Sequence, residues 1–401
     1  MKKAVSLYVH IPFCKRKCDY CDFFSKPFSC VPDEYIAAVL NEAAYYVRVY
    51  DIQSWNTIYI GGGTPSLLHP GQLERLVTGI RSACGSDAAA PCEITVEMNP
   101  DDITESLLAA AEQAGVSRLS VGIQSLDDSV LSAVHRRCTV KTSCEALACI
   151  HRIWKKHFSA DMISGLPGLK NGSFVQGLKK LISYGPDHIS LYSLTVESGT
   201  PLSEALNAGR LLYDQDTADE QWIQGRDFLE KKGFAQYEVS NFARPGFESR
   251  HNMAYWRQED YIGIGSGATG TVYNTGSAAA AGVRWTNTED ICRYTDFWTD
   301  CQVKDTELPR TVEMLDRTTQ EFEFLMMGLR TRAGVSAETY LSRFGSDLAQ
   351  RIGASSAGGL FYTWQSKGLA ECIQSGSSTR FALTREGLLF LNSFLESLPE
   401  L

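Results

Sequence analysis

The sequence predicts an α/β protein: a partial parallel (β/α)6 barrel, TIM-like in plan, over residues 1–200, followed by a C-terminal helical, winged-helix-like domain. Two observations predict it. Short apolar, β-rich runs alternate with amphipathic helical stretches from residue 5 onward, and such alternation implies βαβ units and a parallel sheet. The chemistry-bearing residues also recur at the carboxyl ends of these strands, where folds of this kind gather their sites. CKRKCDYC ends the first strand and GGGTP the second; Glu97-Met98-Asn99-Pro100, Gln124-Ser125 and Asp161 end the third, fourth and fifth.

The first strand is the apolar run at 5–13. DEYIAAVLNEAAYYVRVY follows with helical spacing and acidic residues in its first turn. TIYIGGGTPS is a strand ending in glycines, QLERLVTGIRSAC a helix, EITVEMNP a strand, and TESLLAAAEQAG a helix closed by glycine. RLSVGIQS is the fourth strand, with helical DSVLSAVHRR and TSCEALACIHRIWKK behind it. FSADMISGLPG and DHISLYSLTVE are the fifth and sixth strands, separated by the helix GSFVQGLKKLISYG. From 201 to 305 the pattern loosens into a glycine- and aromatic-rich extension, with GSAAAAG as a low-complexity loop. The domain over 306–401 starts with a helical stretch, VEMLDRTTQEFEFLMMGLR. It closes with two strand-like pieces, LAECI and RFALT, and the amphipathic REGLLFLNSFLESL.

Composition bounds the function. A chain of 401 residues suits two to three domains. Its net charge of −9 argues against a general nucleic-acid binder, which needs a basic face. No apolar run reaches the 18 residues of a membrane span, so no intrinsic anchor is expected. The N-terminal MKKAVSLYVHIPF lacks a signal peptide's long apolar region and cleavage site, which favours the cytoplasm. Twelve cysteines in so long a chain do not make a disulfide scaffold, and nine of them are scattered, as small buried hydrophobes are.

The other three, Cys14, Cys18 and Cys21, form a C-x3-C-x2-C array directly after the first strand. Thiolates are soft ligands for zinc or an iron–sulfur cluster. A structural zinc site wants four closed ligands, which His10 or His69 could complete. Three ligands alone leave one metal position open.

This array resembles that of the radical S-adenosylmethionine (SAM) superfamily. The resemblance implies that the three cysteines hold a [4Fe–4S] cluster whose fourth iron takes the amino and carboxylate groups of SAM, and that an electron passed to SAM can release a 5′-deoxyadenosyl radical. YVHIPFC, GGGTPS, VGIQS, DMISGLPG and YSLTVESGTPL narrow the likeness to the branch of oxygen-independent coproporphyrinogen III oxidase and its relatives, over nearly the whole chain. By position, the family's SAM-binding residues fall on Tyr8, Tyr20, Gly62, Gly63, Thr64, Glu97, Gln124, Arg136 and Asp161. A guanidinium such as Arg136 suits a carboxylate through paired hydrogen bonds.

Two functions compete within that branch: oxidative decarboxylation of porphyrinogen propionates, and HemW-type haem binding with delivery to acceptor proteins, respiratory ones among them. Three features favour the second. Phe23 stands where the decarboxylase carries a further cysteine, only 13 residues precede Cys14, and 251-HNMAYW-256 matches the H-N-x-x-Y-W signature associated with haem. The resemblance thus assigns haem to His251, Tyr255 and Trp256. Neutral imidazole is a standard axial ligand, and the two aromatics offer flat faces to a porphyrin. The residues alone also allow His251 to cap a turn and the aromatics to fill a core. An active coproporphyrinogen III oxidase is not expected, SAM cleavage stays open, and a homodimer is compatible with the sequence. Cys138, Ser249 and Thr269 depart from the family, which often has histidine, cysteine and histidine there.

Overall fold

The computed structural model describes residues 4–85, 88–170, 172–273, 282–300, 307–376 and 378–398. Most of the GSAAAAG loop and Cys301 lie outside them.

The six expected strands form in chain order as parallel neighbours: β1 (Ala4–Ile11), β2 (Ser54–Gly62), β3 (Glu93–Met98), β4 (Arg118–Gln124), β5 (His157–Ser164) and β6 (His188–Ser193). The side-chain period of two sorts each strand onto two faces. The row Val9–Ile60–Val96–Leu119–Phe158, aligned by register, is apolar and buried. Helices Asp33–Val49, Pro70–Ala83, Glu105–Ala114, Val140–Ile153 and Ser173–Ile182 cover it with residues such as Ile36, Leu76, Leu108, Leu147 and Leu178. The opposite face is polar: Tyr8 pairs with Tyr59, Glu97 with Ser120, and Asp161 with both Gly122 and Ser190. A buried polar face needs partners, so this face is where ligands or internal networks must lie.

Local signals set the helix ends. Thr104 Oγ1 accepts from Leu107 N at 3.1 Å at one end of Glu105–Ala114, and Gly115 closes the other at φ +93°, where a side chain is strained.

The extension departs from the sequence reading. It is strand-bearing and joins the barrel core at both edges. Tyr261–Ile264 lies parallel to β1 on the side away from β2, and Thr269–Tyr273, Gly282–Asn287 and Arg310–Leu315 continue that edge antiparallel. At the other edge Asn241–Ala243 runs antiparallel to β6, followed by Ala235–Gln236. Trp222, Phe242, Trp285 and Trp298 share the main core with β1–β6. VEML is therefore an edge strand, and the helix begins at Arg317. Glycine and turn residues at 261–273 hid strands whose partners are distant in sequence.

The C-terminal region has its own core, built by Phe324, Leu325, Tyr340, Phe361, Phe381 and Phe394 among others. Helix Arg317–Gly328 leads to strand Val335–Ser336, short helices, and the hairpin Ala370–Ser375/Ser378–Leu383, in the order expected of a winged helix. Among the described residues no helix is long and apolar enough to cross a membrane.

Candidate functional site at the rim of the barrel

The carboxyl ends of β1–β5 converge on the cysteine loop. Cys14 is buried, and Cys18 and Cys21 are half-buried. Thr64, just past β2, donates its hydroxyl to Cys14 Sγ at 3.2 Å. Arg136 donates through Nη1 to Cys18 Sγ at 3.5 Å and to the Tyr20 hydroxyl at 3.1 Å, and through Nη2 to Asn99 Oδ1 at 2.9 Å and Gly122 O. The expected helix 128–137 stops at Ala133. His135 takes φ +50°, which turns the chain so that Arg136 faces the loop. Asp19 fastens the loop from the other side, accepting from His135 Nδ1 at 2.6 Å.

Glu97 ends β3. It accepts from the Tyr59 hydroxyl at 2.8 Å and from Gly62 N at 3.1 Å. Burial, with the charge of Asp161 adding to it, pushes Glu97 up to about 7 against the pull of those two hydrogen bonds. Gly62 sits at φ +109°, and a Cβ there would strike the His10 ring at 2.6 Å, so the turn admits only glycine. A Cβ on Gly63 would meet Phe13 O at 2.7 Å. Asp161 accepts from Ser120 Oγ at 3.3 Å, and burial raises it. Gln124 lies at φ +66° beside a register shift, and its Oε1 is buried without a partner; Arg136 Nε is likewise unpartnered.

Tyr8 reaches into the same region. Its hydroxyl bonds His10 Nδ1 at 2.8 Å, while His10 Nε2 bonds Phe24 O at 2.9 Å. The carbonyl can only accept, so Nε2 carries the hydrogen and Tyr8 donates to Nδ1. Burial lowers His10 and raises Tyr8. His69 Nδ1 accepts from Gln72 N at 3.2 Å as a helix cap. His10 thus has both ring nitrogens engaged, and His69 commits Nδ1 to its helix cap.

Among the described residues no three His, Cys, Asp or Glu side chains form a ready-made metal cage. The three thiols share one loop, and burial raises Cys21, with the Phe23 backbone and Lys17 opposing and Cys18 and Cys14 adding to it. Three soft donors on one loop, a guanidinium beside them and orphaned acceptors and donors facing them fit a cluster with one iron left to an organic ligand.

The structure thus gathers the cysteines, Tyr8, Tyr20, Gly62, Gly63, Thr64, Glu97, Gln124, Arg136 and Asp161 around one rim. It puts His251, Tyr255 and Trp256 elsewhere, on helix Arg250–Trp256 against the amino-terminal half of the polar face. Glu93 of β3 caps that helix, accepting from Arg250 N at 3.2 Å and His251 N at 3.0 Å. Ser249 accepts from Asn252 N at 3.3 Å as the N-cap, a task for which a hydroxyl suits better than a thiol. His251 is 1% exposed, bonds Thr57 Oγ1 through Nδ1 at 2.7 Å and the Tyr255 hydroxyl through Nε2 at 2.9 Å, and stacks on Tyr59 at 5.0 Å. Burial pushes it down to about 3. Both ring nitrogens are engaged, so ligation of iron would require breaking one of these bonds. Tyr255 meets Tyr261 edge-on at 4.7 Å. Of the three, Trp256 lines a cavity.

Sequence reasoning placed Asn99 at the end of the third strand without a role; it orients Arg136. That reasoning missed Asp102, which accepts from Lys15 Nζ at 2.8 Å and Arg137 Nη2 at 2.7 Å to pin the loop. It also missed Glu93 and Thr57. Strand alternation places Thr57 and Tyr59 on one face, but nothing local reveals the helix that meets them.

Residues 8–181 match the family model of the radical SAM superfamily, and 315–390 match the HemN C-terminal domain. Heme chaperone HemW of Escherichia coli is 33% identical over 398 residues, 98% of this chain and 97% of that protein. Its namesake in Lactococcus lactis subsp. lactis is 33% identical over 346 residues, 86% of each. Radical S-adenosyl methionine domain-containing protein 1, mitochondrial, of Bos taurus is 34% identical over 83% of this chain and 75% of its own. The solved coproporphyrinogen III oxidase (HemN) of Escherichia coli superposes with TM-score 0.76 at 21% identity, covering 98% of this chain and 90% of its own, a likeness of fold.

Proposed function

Because the chain belongs to the HemW heme-chaperone family of the radical SAM superfamily, we propose that it binds haem and passes it to acceptor proteins, respiratory ones among them. The observation that carries this reading is identity to a heme chaperone along nearly the whole of both chains. Membership of the superfamily implies a [4Fe–4S] cluster and SAM. In this reading Cys14, Cys18 and Cys21 hold the cluster. When bound, cluster and SAM supply one-electron chemistry at the rim.

The chain's own residues prepare the place. Arg136 Nε and Gln124 Oε1 lack partners, and an organic ligand with carboxylate and hydroxyl groups would satisfy them. Glu97 accepts ribose hydroxyls, and the Gly62–Gly63 turn lets the ligand approach the backbone. Tyr8, Tyr20, Thr64 and Asp161 complete the SAM surface. The setting is cytoplasmic, and membrane-bound acceptors are reached through a partner.

The competing porphyrinogen oxidase reading is disfavoured at Phe23, which stands 70% exposed where that enzyme carries a further cysteine. An anaerobic haem titration of the cluster-reconstituted protein, followed at the Soret band, separates the two. Saturable binding without coproporphyrinogen III turnover is expected. Turnover without haem binding would reverse the assignment.

A further inference from the structure

The outward side of helix Arg250–Trp256 faces the C-terminal domain across a cleft of about 490 Å³. Its walls include Met253 and Trp256 from the helix, Phe324 from the C-terminal core, and Arg257, Arg343 and Arg380. Clefts of about 300–1,000 Å³ at domain junctions, apolar with a few placed polar groups, are the usual form of small-molecule sites.

The charges are the informative part. Three guanidiniums line this cleft against one carboxylate, Glu259, which lies 3.9 Å from Arg257. Among the described residues neither Arg343 nor Arg380 has a carboxylate within ion-pair distance. Arg343 Nη1 donates to Gln258 Oε1 at 3.1 Å, and its guanidinium lies 5.0 Å from the centre of the Phe324 ring. Arg380 donates through Nε to Ala333 O at 2.6 Å and through Nη2 to Gly334 O at 2.7 Å. These neutral acceptors fix both side chains in place, with carboxylates nearby but none in direct contact. Burial lowers both below the ordinary arginine value; Tyr273, Asp260 and Glu259 oppose this at Arg343, while at Arg380 Arg257 adds to it and Glu338 opposes it. The Trp256 indole N–H is buried without a partner. Fixed cations with no direct ion pair, set beside apolar walls, suit a flat apolar ligand that carries carboxylates.

Resting on the haem-binding reading above, we propose that this cleft is the haem seat: Arg343 and Arg380 hold the propionates, and Met253, Trp256 and Phe324 pack against the macrocycle. His251 lies on the other side of the same helix and acts as a positioning residue, tying the helix to β2 through Thr57.

The test compares haem with its dimethyl ester, which has the same macrocycle and no carboxylates. Both are titrated anaerobically into the full-length, cluster-reconstituted protein. R343Q/R380Q removes both charged donors and is expected to weaken haem about tenfold or more. It should leave the ester within about twofold, which also shows that the variant is folded. Thr339→Trp, at an exposed residue of the wall one helical turn before Arg343, fills the cleft while keeping both arginines and is expected to weaken both ligands. A wild type that binds neither ligand overturns the chaperone reading and this proposal with it. A wild type that binds haem while either variant matches it overturns the cleft alone. Equal losses of haem and ester in R343Q/R380Q also overturn the assignment of the propionates.

Discussion

The rim of the barrel and the inward side of helix Arg250–Trp256 use the same strands and similar polar residues, and they differ in what is left over. At the rim, Gln124 Oε1 and Arg136 Nε are buried without partners, and three thiols share one loop. Around the helix, both nitrogens of His251 and both oxygens of Glu93 are paired within the chain. Unspent hydrogen-bonding capacity in a buried place marks a ligand site, whereas a closed network marks framework. Two motifs that stand out equally in the sequence therefore have different physical status.

The sharpest test of the rim is the loss of a thiolate. Cys14→Ser, Cys18→Ser or Cys21→Ser is expected to remove essentially all cluster iron after anaerobic reconstitution, while Cys30→Ser, at an exposed cysteine outside the array, keeps it. Iron and sulfide content with the visible spectrum reads this directly. Full iron in all three variants would break the comparison at its stronger end.

On the framework side, His251→Leu leaves the hydroxyls of Thr57 and Tyr255 without their partner. A buried group so stranded costs about 1–3 kcal/mol, visible in chemical unfolding without any ligand. The pH dependence carries its own sign. His251 is held at about 3 in the folded chain against an ordinary 6.5. Its contribution is therefore complete above pH 6.5 and is lost as pH falls from there toward 3. The His251→Leu variant should lose less stability than wild type between pH 6.5 and 5. An unfolding midpoint equal to wild type at pH 7 would mean that this network holds nothing in place.

Glu97 should show the opposite slope, with a smaller effect. Its folded value of about 7 stands above the ordinary 4.5, so stability is complete below pH 4.5 and is lost as pH rises through 7. Glu97→Gln is expected to gain on wild type in thermal unfolding between pH 4.5 and 8, and to lose SAM affinity in equilibrium dialysis. A gain without the loss of affinity would separate the carboxylate from the ligand.

These residues also show what was legible in the chain. The strand ends were, because alternation and glycine turns are local signals, and they put Cys14, Gly62, Glu97 and Gln124 on one rim; Asp161, expected at the end of the fifth strand, lies inside β5, which runs on to Ser164. Arg136 was identified as a residue, yet its aim depends on the left-handed turn at His135 and on Asn99, 37 positions away. The closed network around His251 was not legible. Its partners Thr57 and Glu93 lie 194 and 158 positions away, and no periodicity links them. The strand Tyr261–Ile264 was hidden in the same way, since its partner is β1 at the other end of the chain.

The smallest effect tests whether the framework is fastened at its first turn. Ser249 accepts from Asn252 N and donates its hydroxyl to Glu93 Oε1 at 3.4 Å. Ser249→Ala removes the cap, at a cost of about 1 kcal/mol, but leaves the two backbone amides on Glu93. Ser249→Cys, the residue the family often carries there, should fall between the two, because a thiol accepts weakly. A helix held mainly by Glu93 and His251 would tolerate both changes in haem titration while registering them in unfolding. If Ser249→Ala lowered haem affinity as much as R343Q/R380Q, helix position and not charge would govern the cleft, and the division between site and framework would have to be redrawn across that helix.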